Sequence, residues 1–131
     1  MNLQQMFDKS VGGIKAQGCL SKVTTGTSGV PACYYRHPDN PAVRCAVGHL
    51  IPDEVYDPSM EGDGSWSVLA NPEVDEALAL PEDHDEVGHL LASLQESHDS
   101  CPDVEHFLVR AAQIGRAKGL DVSVCLGEVV A

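Results

Sequence analysis

Residues 86–119 read EVGHLLASLQESHDSCPDVEHFLVRAAQIGRAKG, and two amphipathic helices are legible in them. Val87, Leu90, Leu91, Leu94 and His98 recur at intervals of three and four, the repeat of one helical face, so a helix is predicted over about 86–98. Ser100 or Cys101, followed by Pro102, reads as the cap of a second helix. Val104, Phe107, Leu108, Ala111 and Ile114 form its buried stripe, and Gly119 supplies its stop. Two adjacent apolar stripes must each be covered, so the chain is a helical domain before anything else is read.

Outward from there, Leu3, Met6, Phe7, Ser10, Val11 and Ile14 predict a helix over 3–16 that stops near Gly18. Asn71-Pro72 is an N-cap and first position for a helix through Leu80. Pro52 starts a short helix, with Asp53 and Glu54 well placed for its dipole. Residues 21–31 (SKVTTGTSGVP) read as a loop, and residues 57–66 (DPSMEGDGSW) as turn-rich. Ala32 to Arg36 and Val43 to Val47 flank the turn residues His37-Pro38-Asp39-Asn40-Pro41, which predicts a β-hairpin packed on helices. Leu120, Val122, Val124 and Leu126 alternate, so residues 120–131 read as an edge strand or a disordered tail. The expected fold is a mainly helical α+β domain over residues 1–119, with four to five helices and one short hairpin.

At 131 residues the chain fits one domain, and its ordinary apolar share argues against global disorder despite a net charge of −12. No apolar run has the length of a membrane span, and Met1 to Lys15 lacks a signal-peptide pattern, so a cytoplasmic location is expected. Cys19, Cys33, Cys45, Cys101 and Cys125 are odd in number and irregular in spacing, which points to reduced thiols.

Charge is unevenly distributed. From Cys45 to Val109 there are sixteen Asp and Glu residues and no Lys or Arg. Such a segment excludes a phosphate-binding surface there, because nucleic-acid binding needs cations to displace counterions. It suits a basic protein partner, with Asp53, Glu54, Asp57, Glu61 and Asp63 as contacts and Tyr56 and Trp66 as apolar anchors. The plain alternative is a solvated, solubilising surface.

Residues 32–62, ACYYRHPDNPAVRCAVGHLIPDEVYDPSMEG, and residues 90–99, LLASLQESHD, carry a resemblance. With the leading helix they resemble a family of small uncharacterised bacteriophage and prophage proteins with the pattern C-x-YR, CAVG-x-LIPDE-x-Y-x-P-x-MEG and LQ-x-x-HD. The resemblance covers about residues 3–119. It departs at His49, where the family often has Cys, and the tail after Gly119 is additional. It implies a small phage-type accessory protein and supplies no activity.

Cys33, Cys45, His49, His98 and Cys101 offer a second reading, a zinc-stabilised module, since four such side chains can hold zinc in a tetrahedron. No C-x-x-C pair supports it, and buried inert thiols are the simpler expectation. His98-Asp99 resembles the paired ligands of metal phosphohydrolases, for which His84, His89 and Asp103 are the available additions. A Cys45 nucleophile would have only Arg44 beside it. The reading adopted is non-enzymatic: no catalytic residue and no cofactor, an acidic surface that meets a basic surface on a host protein (a defence or nucleic-acid-processing complex among the candidates), and no contact with nucleic acid or membrane. A zinc module is the alternative, and a small metal-dependent hydrolase the third.

Overall fold

A computed structural model of the protein describes residues 2–24, 31–61, 65–79 and 84–126, without the side chains of Val23, Thr24, Pro31, Ala32, Ser65, Trp66 and His84. The first helix, α1 (Leu3–Gln17), opens on a reciprocal capping box: the Asn2 side chain accepts from the Gln5 amide, and the Gln5 side chain accepts from the Asn2 amide. It closes on Gly18, whose positive φ of 74° no β-carbon obstructs. The predicted face is the buried one: Met6, Phe7, Ser10, Val11 and Ile14.

Four further helices follow among the described residues: α2 (Ser65–Leu69), α3 (Pro72–Leu78), α4 (His84–Ser100) and α5 (Val104–Ala117). Asn71 caps α3 through the Glu73 amide, as expected. The cap of α5 is Asp103, which accepts from the His106 amide, rather than Ser100 or Cys101. Ser100 ends α4 and its hydroxyl donates back to the Glu96 carbonyl, while Cys101 is buried, so neither side chain is available as a cap. Helix α4 packs on α5 and on α2, and α1 lies against α5 and α4. Phe7, Phe107, Met6, Ile14, Leu90, Leu91 and Leu94 fill the space between them. The protein is mainly helical, and none of its described helices is long and apolar enough to cross a membrane.

Four expectations need correction. The hairpin predicted between 32–36 and 43–47 does not form. The strands are instead β1 (Lys22–Thr24) and β2 (Pro31–Cys33), antiparallel, with Lys22 opposite Cys33. Cys45, Ala46 and Val47 are buried consecutively, which a strand with one solvent face cannot do, and bonds from the His49 amide to the Cys45 carbonyl and from the Leu50 amide to the Val47 carbonyl coil the segment into turns. The short helix at Pro52 is a single turn, with the Pro52 carbonyl accepting from the Val55 and Tyr56 amides. A helix, α2, begins at Ser65, inside the stretch read as turn-rich.

The tail is the fourth correction. Through Leu126 it is neither an edge strand nor loose. Leu120 donates its amide to the Gly115 carbonyl, Gln4 pairs with both the amide and the carbonyl of Asp121, and a 3₁₀ turn at Ser123–Cys125 buries Cys125 against α1 and α5. The packed domain therefore extends beyond residue 119 to at least Leu126.

Two glycines are needed for close approach. A β-carbon on Gly13 would stand 2.5 Å from Nδ1 of His49, and one on Gly48 would fall on the carbonyl oxygen of Tyr35. Gly13→Ala should cost about 1–3 kcal/mol by overpacking. In a His49→Ser background the same change should become neutral or favourable, because alanine is the better helix former. Gly48→Ala should stay damaging in either background, since its obstacle is backbone. Urea unfolding of the parent, His49→Ser and the two glycine variants in each background checks this, and an equal cost for Gly13→Ala with and without His49 would refute the packing.

Candidate functional site

Of the two resembling stretches, 90–99 lies in α4, but the block at residues 32–61 is almost entirely outside regular structure, so its backbone polar groups cannot satisfy one another as a helix or sheet would. Side chains from the helices do so instead. Ser10 of α1 donates to the Ala46 carbonyl at 2.7 Å. Gln17, the last residue of α1, accepts from the Arg44 amide at 3.0 Å and donates to the Arg44 carbonyl at 2.8 Å. Gln95 of α4 accepts from the Val47 amide at 3.1 Å. His49 completes this face. Its Nε2 lies 2.8 Å from the Gln17 side-chain oxygen, which can only accept, so Nε2 carries the proton.

The acidic residues expected to meet a partner are largely engaged within the protein. Asp53 is 75% exposed, yet one of its oxygens takes Arg36 at 2.9 Å and Arg44 at 3.0 Å. The cations missing from the acidic segment are thus supplied from just before it. Glu61 accepts the amides of Tyr35 and Arg36 and the hydroxyl of Tyr56. The Arg36 guanidinium lies 4.0 Å from the Tyr56 ring centroid and also donates to the Ile51 carbonyl, tying Tyr56 to the same group. Burial, with the nearby Glu61 carboxylate, pushes the Tyr56 phenol up to about 12, so it stays a donor. Asp57 caps the 3₁₀ turn Pro58–Met60 by accepting from the Ser59 amide. Glu54 is exposed. Asp63 and the side chain of Trp66 lie outside the described residues.

Of the expected metal ligands, the fold brings together Cys33 and His98, and it adds Asp99. Their Sγ, ring nitrogen and carboxylate oxygen all lie within 4.8 Å of one another. This group marks the place where β2 meets the end of α4. His98 is fully buried, with Phe107 against it edge to face. Its Nε2 accepts from the Ser21 amide at 3.0 Å, which places the ring proton on Nδ1, 3.0 Å from Asp99. Gln95 donates to the same Asp99 oxygen at 2.9 Å, so one chain of hydrogen bonds runs from Val47 through Gln95, Asp99 and His98 to Ser21. Burial works to raise the Asp99 carboxyl, but bonds from His98, Cys33 and Gln95 outweigh it and leave Asp99 below the usual range. Cys45, His49 and Cys101 stand outside this group, with His49 committed to Gln17.

Three of the thiols, Cys33, Cys45 and Cys125, are held protonated. Burial, and then the bond to Asp99, pushes Cys33 up to about 12; burial does the same to Cys45, and takes Cys125 to about 11. A Cys45 nucleophile would need a thiolate, which this setting opposes. The additions considered for a phosphohydrolase do not converge: Asp103 is bound to His106 at 2.7 Å at the start of α5, His89 is exposed, and the His84 side chain is not described. Sequence reasoning missed Gln17, Gln95 and Glu61 as the residues that organise the block. The one available signal was that Gln95 and Glu61 sit inside the quoted motifs.

Compared with protein-family models, curated proteins and solved structures, the chain matches none.

His49 gives the protein an acid-sensitive seam between α1 and the block. Burial, then the charges of Arg44, His98 and Lys9, pull it from 6.5 down to about 4. The unfolded chain takes up this proton as pH falls through 6.5 and the folded chain only near 4, so the contribution is full above 6.5 and is lost between 6.5 and 4. His49→Gln, which keeps a donor for Gln17 but does not titrate, should lose less stability than the parent across this window. Denaturant midpoints at several pH values measure the difference. Identical slopes in the two proteins would contradict the assignment.

Proposed function

We propose that this chain is a non-enzymatic, phage-type accessory protein that binds a basic surface on a host protein and alters its activity, acting in the host cytoplasm. The observation that carries the reading is the one-sided charge of α3 and α4. Glu73, Glu76, Asp85, Glu86 and Glu96 are exposed on these two helices, which carry no Lys or Arg. The proposed contact residues are these exposed carboxylates of α3 and α4, in place of Asp53 and Glu61. Carboxylates spaced along helices can stand in for nucleic-acid phosphates in a basic groove, so a nucleic-acid-processing or defence complex is the favoured class of target. Burial holds the Cys33, Cys45 and Cys125 thiols protonated, which disfavours a cysteine nucleophile and supports a binding role.

The combined variant Glu73→Gln, Glu76→Gln, Asp85→Asn, Glu86→Gln tests the face. Tagged parent and variant are compared in pull-downs from bacterial lysate with elution by salt steps, followed by binding curves on any captured protein. Parent binding should weaken steeply as salt rises, and the variant should bind at least about tenfold less well at low salt. Affinity that is indifferent to both salt and the four substitutions would exclude the acidic face as the contact.

A further inference from the structure

We propose that Cys33, His98 and Asp99 form a binding site for one thiophilic divalent cation of the zinc and cobalt class. Three observations carry this. A sulfur, an imidazole and a carboxylate converge within 4.8 Å, a spacing that one ion can bridge. The three come from two separate elements, the end of β2 and the last turn of α4, so the ion would pin the hairpin to the helix. The group is also open on one side: Asp99 is 44% exposed and Cys33 is half-buried, whereas His98 forms the closed floor. A thiolate with imidazole selects zinc-like ions over magnesium or calcium, and three protein donors leave a fourth position for water. The site is independent of the acidic face on α3 and α4, so the failure of either reading leaves the other standing.

The hydrogen bonding attaches a specific consequence to occupation. His98 can ligate through Nδ1 only if its proton moves to Nε2, and Nε2 then presents a donor to the Ser21 amide that now donates to it. Metal binding must therefore break the Ser21 bond and shift the foot of β1. Cys33 gives up its thiol proton to the ion's advantage, as any cysteine ligand does. Gln95 loses no partner, because the carboxylate of Asp99 has a second oxygen to offer the ion.

The test is titration of Co²⁺ into the reduced, chelator-stripped full-length protein, followed by Zn²⁺. The expected result is uptake of one equivalent with a thiolate-to-cobalt charge-transfer band, its displacement by Zn²⁺, and a large shift of the Ser21 amide signal in NMR spectra. Cys33→Ser should abolish the band, Asp99→Asn should weaken uptake by about tenfold or more, and Cys19→Ser should leave both unchanged. If Cys33→Ser does not fold, the Asp99→Asn result and the Ser21 signal decide. No uptake by the folded parent overturns the proposal, as does a band that persists in Cys33→Ser. Uptake that leaves the Ser21 amide unmoved overturns the assignment of His98 as a ligand.

Discussion

The rest of the structure depends on one constraint: a long segment without regular secondary structure passes through the core, and its backbone polar groups must be satisfied there. Residues 45–51 are buried almost without a break, yet they make only local turns. An unpaired buried amide or carbonyl costs on the order of 1–3 kcal/mol, so several left open would consume much of a small domain's stability. Ser10 and Gln17 of α1, Gln95 of α4, and Glu61 from the block's own end supply partners, and His98 of α4 does the same for the Ser21 amide just before β1. The helices thus do two jobs. Their apolar stripes close the core, and polar positions on two of them, Ser10 and Gln17 of α1 and Gln95 of α4, reach across to hold the block.

The same constraint explains what much of the charged chemistry does. Glu61 is consumed by two backbone amides and a tyrosine hydroxyl, and Asp53 by two arginines that precede the acidic segment. The exposed Asp53 pairs add at most about 1 kcal/mol, so their value is in positioning Arg36 against Tyr56 rather than in stability. These carboxylates are engaged within the fold, and the residues proposed for contact on α3 and α4 are different ones. Residues 32–61 are held by side-chain bonds from α1, α4 and Glu61.

The three long helices were legible because each shows its apolar stripe at a regular interval: Leu3 to Ile14, Val87 to His98, Val104 to Ile114, whereas the five-residue α2 is too short to show one. Helix limits were legible where a capping residue was unambiguous, as at Asn71 and Gly18, and not at the start of α5, where Ser100 and Cys101 stood side by side and the cap is Asp103. The misplaced hairpin has a physical cause. Val43 to Val47 has the composition of a strand, but composition does not reveal that all of Cys45, Ala46 and Val47 face inward and that distant glutamines satisfy them. The candidate metal group was half visible: Cys33 and His98 were both considered, but Asp99 was weighed only for hydrolysis, and its pairing with Cys33 depends on the docking of β2 on α4, which no spacing encodes. Gly13 likewise reads as an ordinary helix weakness until His49 is found against it.

The measurement that tests the central constraint most directly is native-state hydrogen exchange at five amides outside regular helices and strands: Ser21, Tyr35, Arg36, Arg44 and Val47. Each donates to a side chain in the structure. Protection comparable to that of the buried turns of α4, selectively lost at Val47 in Gln95→Ala and at Tyr35 and Arg36 in Glu61→Ala, is the expected result. Exchange at these positions as fast as in an unstructured chain would contradict it, and would mean that the block is not held to the helices by these side chains.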